Sequence, residues 1–165
     1  RHKIRKIDGN NVLVKVDYIP KGTRSQGWMG IPDQSNYTMQ ADVQATTKNS
    51  QIGDIGMSAQ RYTIDLMGSS QQVQIRSWVT NLERVGKSVK FPWQAGVWYT
   101  MKIRVETDGK TATVRGKVWK RDDKEPDAWT IEAVDEAPNL VGSPGLFGSA
   151  TNAEFYMDNF TVTPN

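Results

Sequence analysis

GVWYTMKIRVETDGKTATVRGKVW, residues 96–119, is the stretch that decides the fold. Tyr99, Met101, Ile103 and Val105 alternate with Lys102, Arg104 and Glu106. Beyond Asp108-Gly109, Ala112, Val114, Gly116 and Val118 alternate with Thr113, Arg115, Lys117 and Trp119. A period of two puts one set of side chains on each face of a strand, and Asp-Gly supplies the positive φ that a tight hairpin needs. The segment therefore predicts two long antiparallel strands with one buried face.

The same pattern recurs outward from this hairpin. Val12 and Val14 flank Leu13, and Tyr37, Met39, Ala41, Val43 and Ala45 alternate with Thr38, Gln40, Asp42 and Gln44. Tyr62, Ile64 and Leu66 alternate with Thr63 and Asp65, while Val73, Ile75 and Ser77 oppose Gln74, Arg76 and Trp78. A last strand is predicted near Phe155–Val162. Asp8-Gly9 and Gly68-Ser69-Ser70 fall between runs, and the prolines lie outside them or at their ends, as a residue without an N–H requires. Short strands with turn signals every 8–12 residues or so predict a sandwich or barrel.

At 165 residues the chain fits one domain, residues 1–165, with residues 1–10 read as an N-terminal arm or a linker from a preceding domain. RDDKEPD, residues 121–127, reads as an exposed loop. No apolar run is long enough to insert in a membrane. The sequence begins at Arg1, consistent with a mature or excised fragment. Lys and Arg total 21 against 18 acidic residues, with no basic stripe, which argues against nucleic acid as a partner.

Cysteine is absent and His2 is the single histidine. That inventory excludes thiol chemistry, a Ser-His dyad in the body of the fold and the usual zinc or copper ligand sets.

Three stretches together carry a family resemblance. Residues 96–119 resemble the central hairpin of concanavalin A-like domains, with a Trp ahead of a strand that turns on Asp-Gly. GSPGLFG (142–148) with EFYMDNFTV (154–162) resembles their C-terminal strand pair, and QGWMGIPDQSNYTMQADV (26–43) their opening strands. The resemblance implies an all-β, two-sheet antiparallel jelly-roll sandwich. With IGDIGMSAQRYTIDLMG (52–68) and VQIRSWVTNLERV (73–85), the chain is also similar to the C-terminal module of bacterial proteins built on a PQQ-binding-like β-propeller. That narrower similarity implies an extracytoplasmic, multidomain parent and a propeller as neighbour. Fold alone assigns no activity.

The glucanases of this fold carry a Glu-x-Asp-x-x-Glu strand motif, which this sequence lacks, so a non-catalytic chain is expected, with a glycan-degrading hydrolase or lyase using Asp42 and Asp65 as the enzyme alternative. Asp158, followed by Asn159, is the natural contributor to a structural calcium site near the terminal strand, or else caps a turn or pairs with an arginine. If the strands share one sheet, their polar faces bring together Asp42, Asp65, Gln74, Arg76, Trp78, Arg104, Arg115, Lys117 and Trp119. Trp rings stack on pyranose faces, and guanidinium and amide groups bond hydroxyls, so this set predicts a poly- or oligosaccharide-binding concave sheet face. Surplus arginine would suit an acidic polysaccharide. A docking face for another domain and plain solvated surface are the alternatives. Trp28, in GWMG, reads either as a rim residue open to ligand or as core.

Overall fold

The computed structural model describes residues 2–16, 24–48, 50–77, 84–149 and 153–165. The strands in chain order are β1 (His2–Ile7), β2 (Asn10–Lys15), β3 (Arg24–Trp28), β4 (Tyr37–Ala45), β5 (Thr47–Lys48), β6 (Gln51–Ile52), β7 (Asp54–Ala59) and β8 (Tyr62–Met67). They continue as β9 (Gln72–Ser77), β10 (Gly86–Lys90), β11 (Tyr99–Thr107), β12 (Ala112–Lys120), β13 (Ile131–Asp135), β14 (Gly145–Ser149) and β15 (Phe155–Pro164). Seven form one antiparallel sheet in the order β1-β2-β15-β4-β11-β12-β13, and six form a second, β10-β9-β8-β7-β14-β3. β5 and β6 pair as a small separate ribbon.

The alternation seen in the sequence becomes the core. Met39, Ala41, Met101, Ile103 and Val114 from the seven-stranded sheet meet Ile55, Met57, Ile64, Leu66 and Ile75 from the six-stranded sheet, all buried. Each such side chain contributes about 1.5–3 kcal/mol through removal from water. Trp93 closes its loop onto this core, its indole N–H donating to the Met67 carbonyl at 3.0 Å. On the opposite face of the seven-stranded sheet, Val12 and Val14 pack with Trp98 and Tyr156 as a smaller cluster.

Turn chemistry follows the sequence closely. Asp8 and Gly9 both take positive φ (49° and 86°) between β1 and β2. Residues 2–7 form an edge strand, and Arg5 pairs with Glu154 at 2.7 Å. At the β11–β12 turn the Asp108 carboxylate accepts the N–H groups of Lys110 and Thr111, each at 2.8 Å. β15 runs between β2 and β4 and shifts register after Asp158, with Asn159 at φ 52°.

Candidate functional site

The polar residues expected on one face divide between the two sheets. Asp42 (β4), Arg104 (β11), Arg115, Lys117 and Trp119 (β12) belong to the seven-stranded sheet, whereas Asp65 (β8), Gln74 and Arg76 (β9) belong to the six-stranded sheet. The single shared face is therefore corrected to two faces on opposite sides of the sandwich. Trp78 lies outside the described residues.

On the seven-stranded sheet the basic residues are engaged with each other's acidic neighbours. Arg104 and Arg115 both pair with Glu106, at 2.8 and 2.6 Å, and Arg115 also bonds Glu132. The loop read as exposed, residues 121–127, folds back so that Glu125 takes Lys102 at 2.7 Å and Lys117 at 3.2 Å. The Lys117 ammonium also donates to the Pro126 carbonyl and sits 4.7 Å from the Trp129 ring centroid. Trp119 is half-buried, with the Lys102 ammonium 5.7 Å from its ring centroid. Hydrogen bonds from Arg104 hold the Glu106 carboxyl below its ordinary range, and those from Lys102 do the same for Glu125. Little charge on this face is left for a ligand.

Asp158 lies across from Asp42 on that sheet. Asp42 accepts from the Thr100 hydroxyl at 2.6 Å and the Asn159 amide at 2.8 Å, and Asp158 accepts from the Asn10 amide. Calcium needs a cage of oxygens, and here the carboxylates meet N–H and O–H donors instead. No group of three or more acidic or His side chains that could hold a metal occurs among the described residues. The donor set does not fit calcium.

The six-stranded sheet presents a different outer face. Register places Gly86, Arg76, Thr63, Ser58, Gly145 and Trp28 in one row across the strands, and Ser88, Gln74, Asp65, Gly56, Phe147 and Gln26 in the next. Trp28 is 51% exposed and its six-membered ring lies against Gly145, where a Cβ would come within 2.8 Å of it. Arg76 Nε donates to Asp65 Oδ2 at 2.8 Å, and its guanidinium carbon stands 5.8 Å from the Phe147 ring centroid. Asp65 is fully buried; burial pushes its carboxyl up to about 6 despite the opposing pull of Arg76. Glycine at position 56 is required, because a Cβ there would collide with the Ile64 carbonyl and lie 2.6 Å from Asp65 Oδ1.

Sequence reasoning found Gln74, Arg76 and Asp65 but put them with the wrong neighbours. It favoured core packing for Trp28, which instead ends β3 half-exposed, and it missed Gln26 and Phe147. Gly145 opposite Trp28 gives the ring room to pack against β14, and only strand register brings those two residues together. At the seam of the sheets, a groove of about 400 Å³ lies between β10 and β13. Arg84, which lines it, is held by Asp135 at 3.0 Å and Asn139 at 2.9 Å.

No protein-family model matches this chain, and neither does any curated protein. Solved structures do match. The carbohydrate-binding module CBM66 from Bacillus subtilis superposes with a TM-score of 0.67 at 15% identity, covering 98% of this chain and 91% of that one. Lectin II from Ulex europaeus gives 0.57 at 11% identity, covering 93% and 86%. A Mycobacterium abscessus protein assigned as a beta-glucanase gives 0.55 at 12% identity, covering 94% and 77%. Identities this low establish a likeness of architecture alone, and on that architecture this chain is a two-sheet antiparallel sandwich of the concanavalin A-like kind.

Proposed function

We propose that this chain is a non-catalytic carbohydrate-binding module whose ligand contacts the outer face of the six-stranded sheet at its open ends, Trp28 on β3 and Gln74 and Arg76 on β9. The observation that carries the reading is the pair of rows running from Arg76 and Gln74 to Gln26 and Trp28. The exposed indole of Trp28 stands on β3, and the partly exposed Gln74 and Arg76 stand on β9; Ser58, Thr63, Asp65 and Phe147 between them are buried, so a ligand meets the two ends of the rows. An indole face offers a flat apolar platform for the C–H side of a sugar ring, and the amides and guanidinium bond its hydroxyls. Structural likeness to a carbohydrate-binding module and to a lectin supports the same reading.

The non-catalytic part draws on geometry. Glycoside hydrolysis uses two carboxyl groups on either side of one bond. Asp42 and Asp65 lie on different sheets, and Asp65 has no surface through which to reach a substrate. An interaction module is the second reading. It is favoured by Ile31, Leu140 and Val141, which are exposed on loops beside Trp28 that are joined by Met29 N–H to Pro144 O and Gly142 N–H to Gln34 O.

Affinity electrophoresis in gels containing neutral polysaccharides, such as barley β-glucan and galactomannan, tests the proposal. Retention of the wild type is expected on at least one, with Trp28→Ala weakening it about tenfold or more, the scale of one lost stacking contact. Retention that Trp28→Ala leaves untouched would remove this face as the site.

A further inference from the structure

Asp65 is an odd residue to find on a ligand face. Its side chain is wholly buried, and Oδ1 has no hydrogen-bond partner among the described residues. All its pairing runs through Oδ2, to Arg76 Nε at 2.8 Å and the Thr63 hydroxyl at 3.3 Å. Arg76 in turn commits one N–H to Asp65 and lies over Phe147, and its terminal Nη groups make no hydrogen bond among the described residues. Its side chain is 24% exposed. A ligand on this face therefore meets the Nη donors of a guanidinium whose charge is already balanced from below.

Charge balance matters more for recognition than donor count. A hydroxyl oxygen accepts from a neutralised guanidinium nearly as well as from a bare one, because the bond is local. An oxyanion gains chiefly from the net charge, and a buried carboxylate 2.8 Å from the same guanidinium largely cancels that gain. We infer that Asp65 sets the charge class of the ligand: by neutralising Arg76, it makes this face select neutral, hydroxyl-bearing sugars over carboxylate- or sulfate-bearing ones. The inference rests on the carbohydrate reading of the same face.

The balance also depends on protonation. Burial raises the Asp65 carboxyl to about 6, with Arg76 and the Thr63 hydroxyl opposing and Asp54, on β7, adding to the rise. Asp54 itself accepts the Gly68 N–H at 2.9 Å. The other described charges on this face, Arg24 on β3 and Lys90 on β10, stand on its two edge strands. Once Asp65 takes a proton, Arg76 keeps its charge and loses its counter-ion. Selection for neutral sugar should then relax in mildly acidic solution.

Affinity electrophoresis on polygalacturonate, in about 0.15 M salt to suppress diffuse attraction, tests this at about pH 7.5 and about pH 5. Asp65→Asn keeps an acceptor for Arg76 Nε and removes the charge. The expected result is about tenfold stronger retention of Asp65→Asn than of wild type at the higher pH, and a matching gain by the wild type at the lower. The gain should vanish in Asp65→Asn/Arg76→Gln. Equal retention of wild type and Asp65→Asn, or a gain that survives loss of Arg76, overturns the inference. If Asp65→Asn fails to fold by circular dichroism, the wild-type pH comparison decides alone. Absence of neutral-glycan binding with the polygalacturonate gain intact would overturn the selection for neutral sugars, whereas no retention of wild type or Asp65→Asn on any glycan, neutral or acidic, would sink the carbohydrate reading itself.

Discussion

Asp65 places a carboxylate where water cannot reach it, and the cost is readable as pH dependence. Its folded pKa, about 6, lies above the ordinary 3.8 because burial penalises the charged form. The sign follows: stability from this group is full below the ordinary value and is lost as pH rises through about 6. The whole effect is on the order of 2–3 kcal/mol. Glu106, Glu125 and Glu154 act oppositely, since cation donors lower their pKa and their contributions vanish on acidification below the ordinary 4.5. Thermal melts should therefore peak in mildly acidic buffer, and Asp65→Asn should flatten the decline on the neutral side. A melting temperature that does not fall between about pH 5 and about pH 7.5 counts against this account. Gly56→Ala should cost about 1–3 kcal/mol in urea unfolding, because the added methyl collides with the Ile64 carbonyl and crowds the Asp65 carboxylate. Wild-type stability in that variant would mean that β7 and β8 can part at no cost.

At the scale of the strand, alternation was enough to assign faces. Every inward residue of β4, β8, β11 and β12 was legible from its neighbours two positions away, because a pleated strand has no other way to sort them. Membership of a sheet was not legible. β4 and β8 have the same pattern, yet one lies between β15 and β11 and the other between β7 and β9. Nothing local distinguishes them, so Asp42 and Asp65 were put on one face. The same limit hid one contact of the 121–127 loop, which is mostly exposed as expected but turns Glu125 onto Lys102 and Lys117. Two consequences can be measured. Alanine at Arg104, Arg115, Lys117 or Trp119 should leave glycan retention unchanged, and a loss would move the site to the seven-stranded sheet. Glu125→Gln should cost only about 0.5–1 kcal/mol, as expected for a carboxylate that is largely solvated, and the difference should shrink in high salt.

The two sheets are joined by more than apolar contact. The Tyr62 hydroxyl, from β8, donates to Asp135 of β13 at 2.7 Å and accepts the Asn139 N–H at 3.0 Å, and Arg84 closes the cluster. Burial pushes Tyr62 up to about 12, with the Asp135 carboxylate adding to the shift, so the hydroxyl keeps its proton. Burial also works to raise Asp135, but the donors from Arg84, Ala137 and Tyr62 win and hold it below its ordinary range. Tyr62→Phe removes one of the donors to Asp135, leaves the Asn139 N–H without its acceptor and should cost about 1–3 kcal/mol by urea titration. A smaller loss would mean that water replaces the hydroxyl. One further consequence lies in the path of the chain. β15 fills the slot between β2 and β4, so those strands, separated by less than thirty residues of sequence, are joined only through a segment more than a hundred residues later. Until residues 155–164 arrive, a growing chain carries two unzipped sheet edges. Its folding time is set by one late, long-range insertion, with self-association as the hazard of the wait.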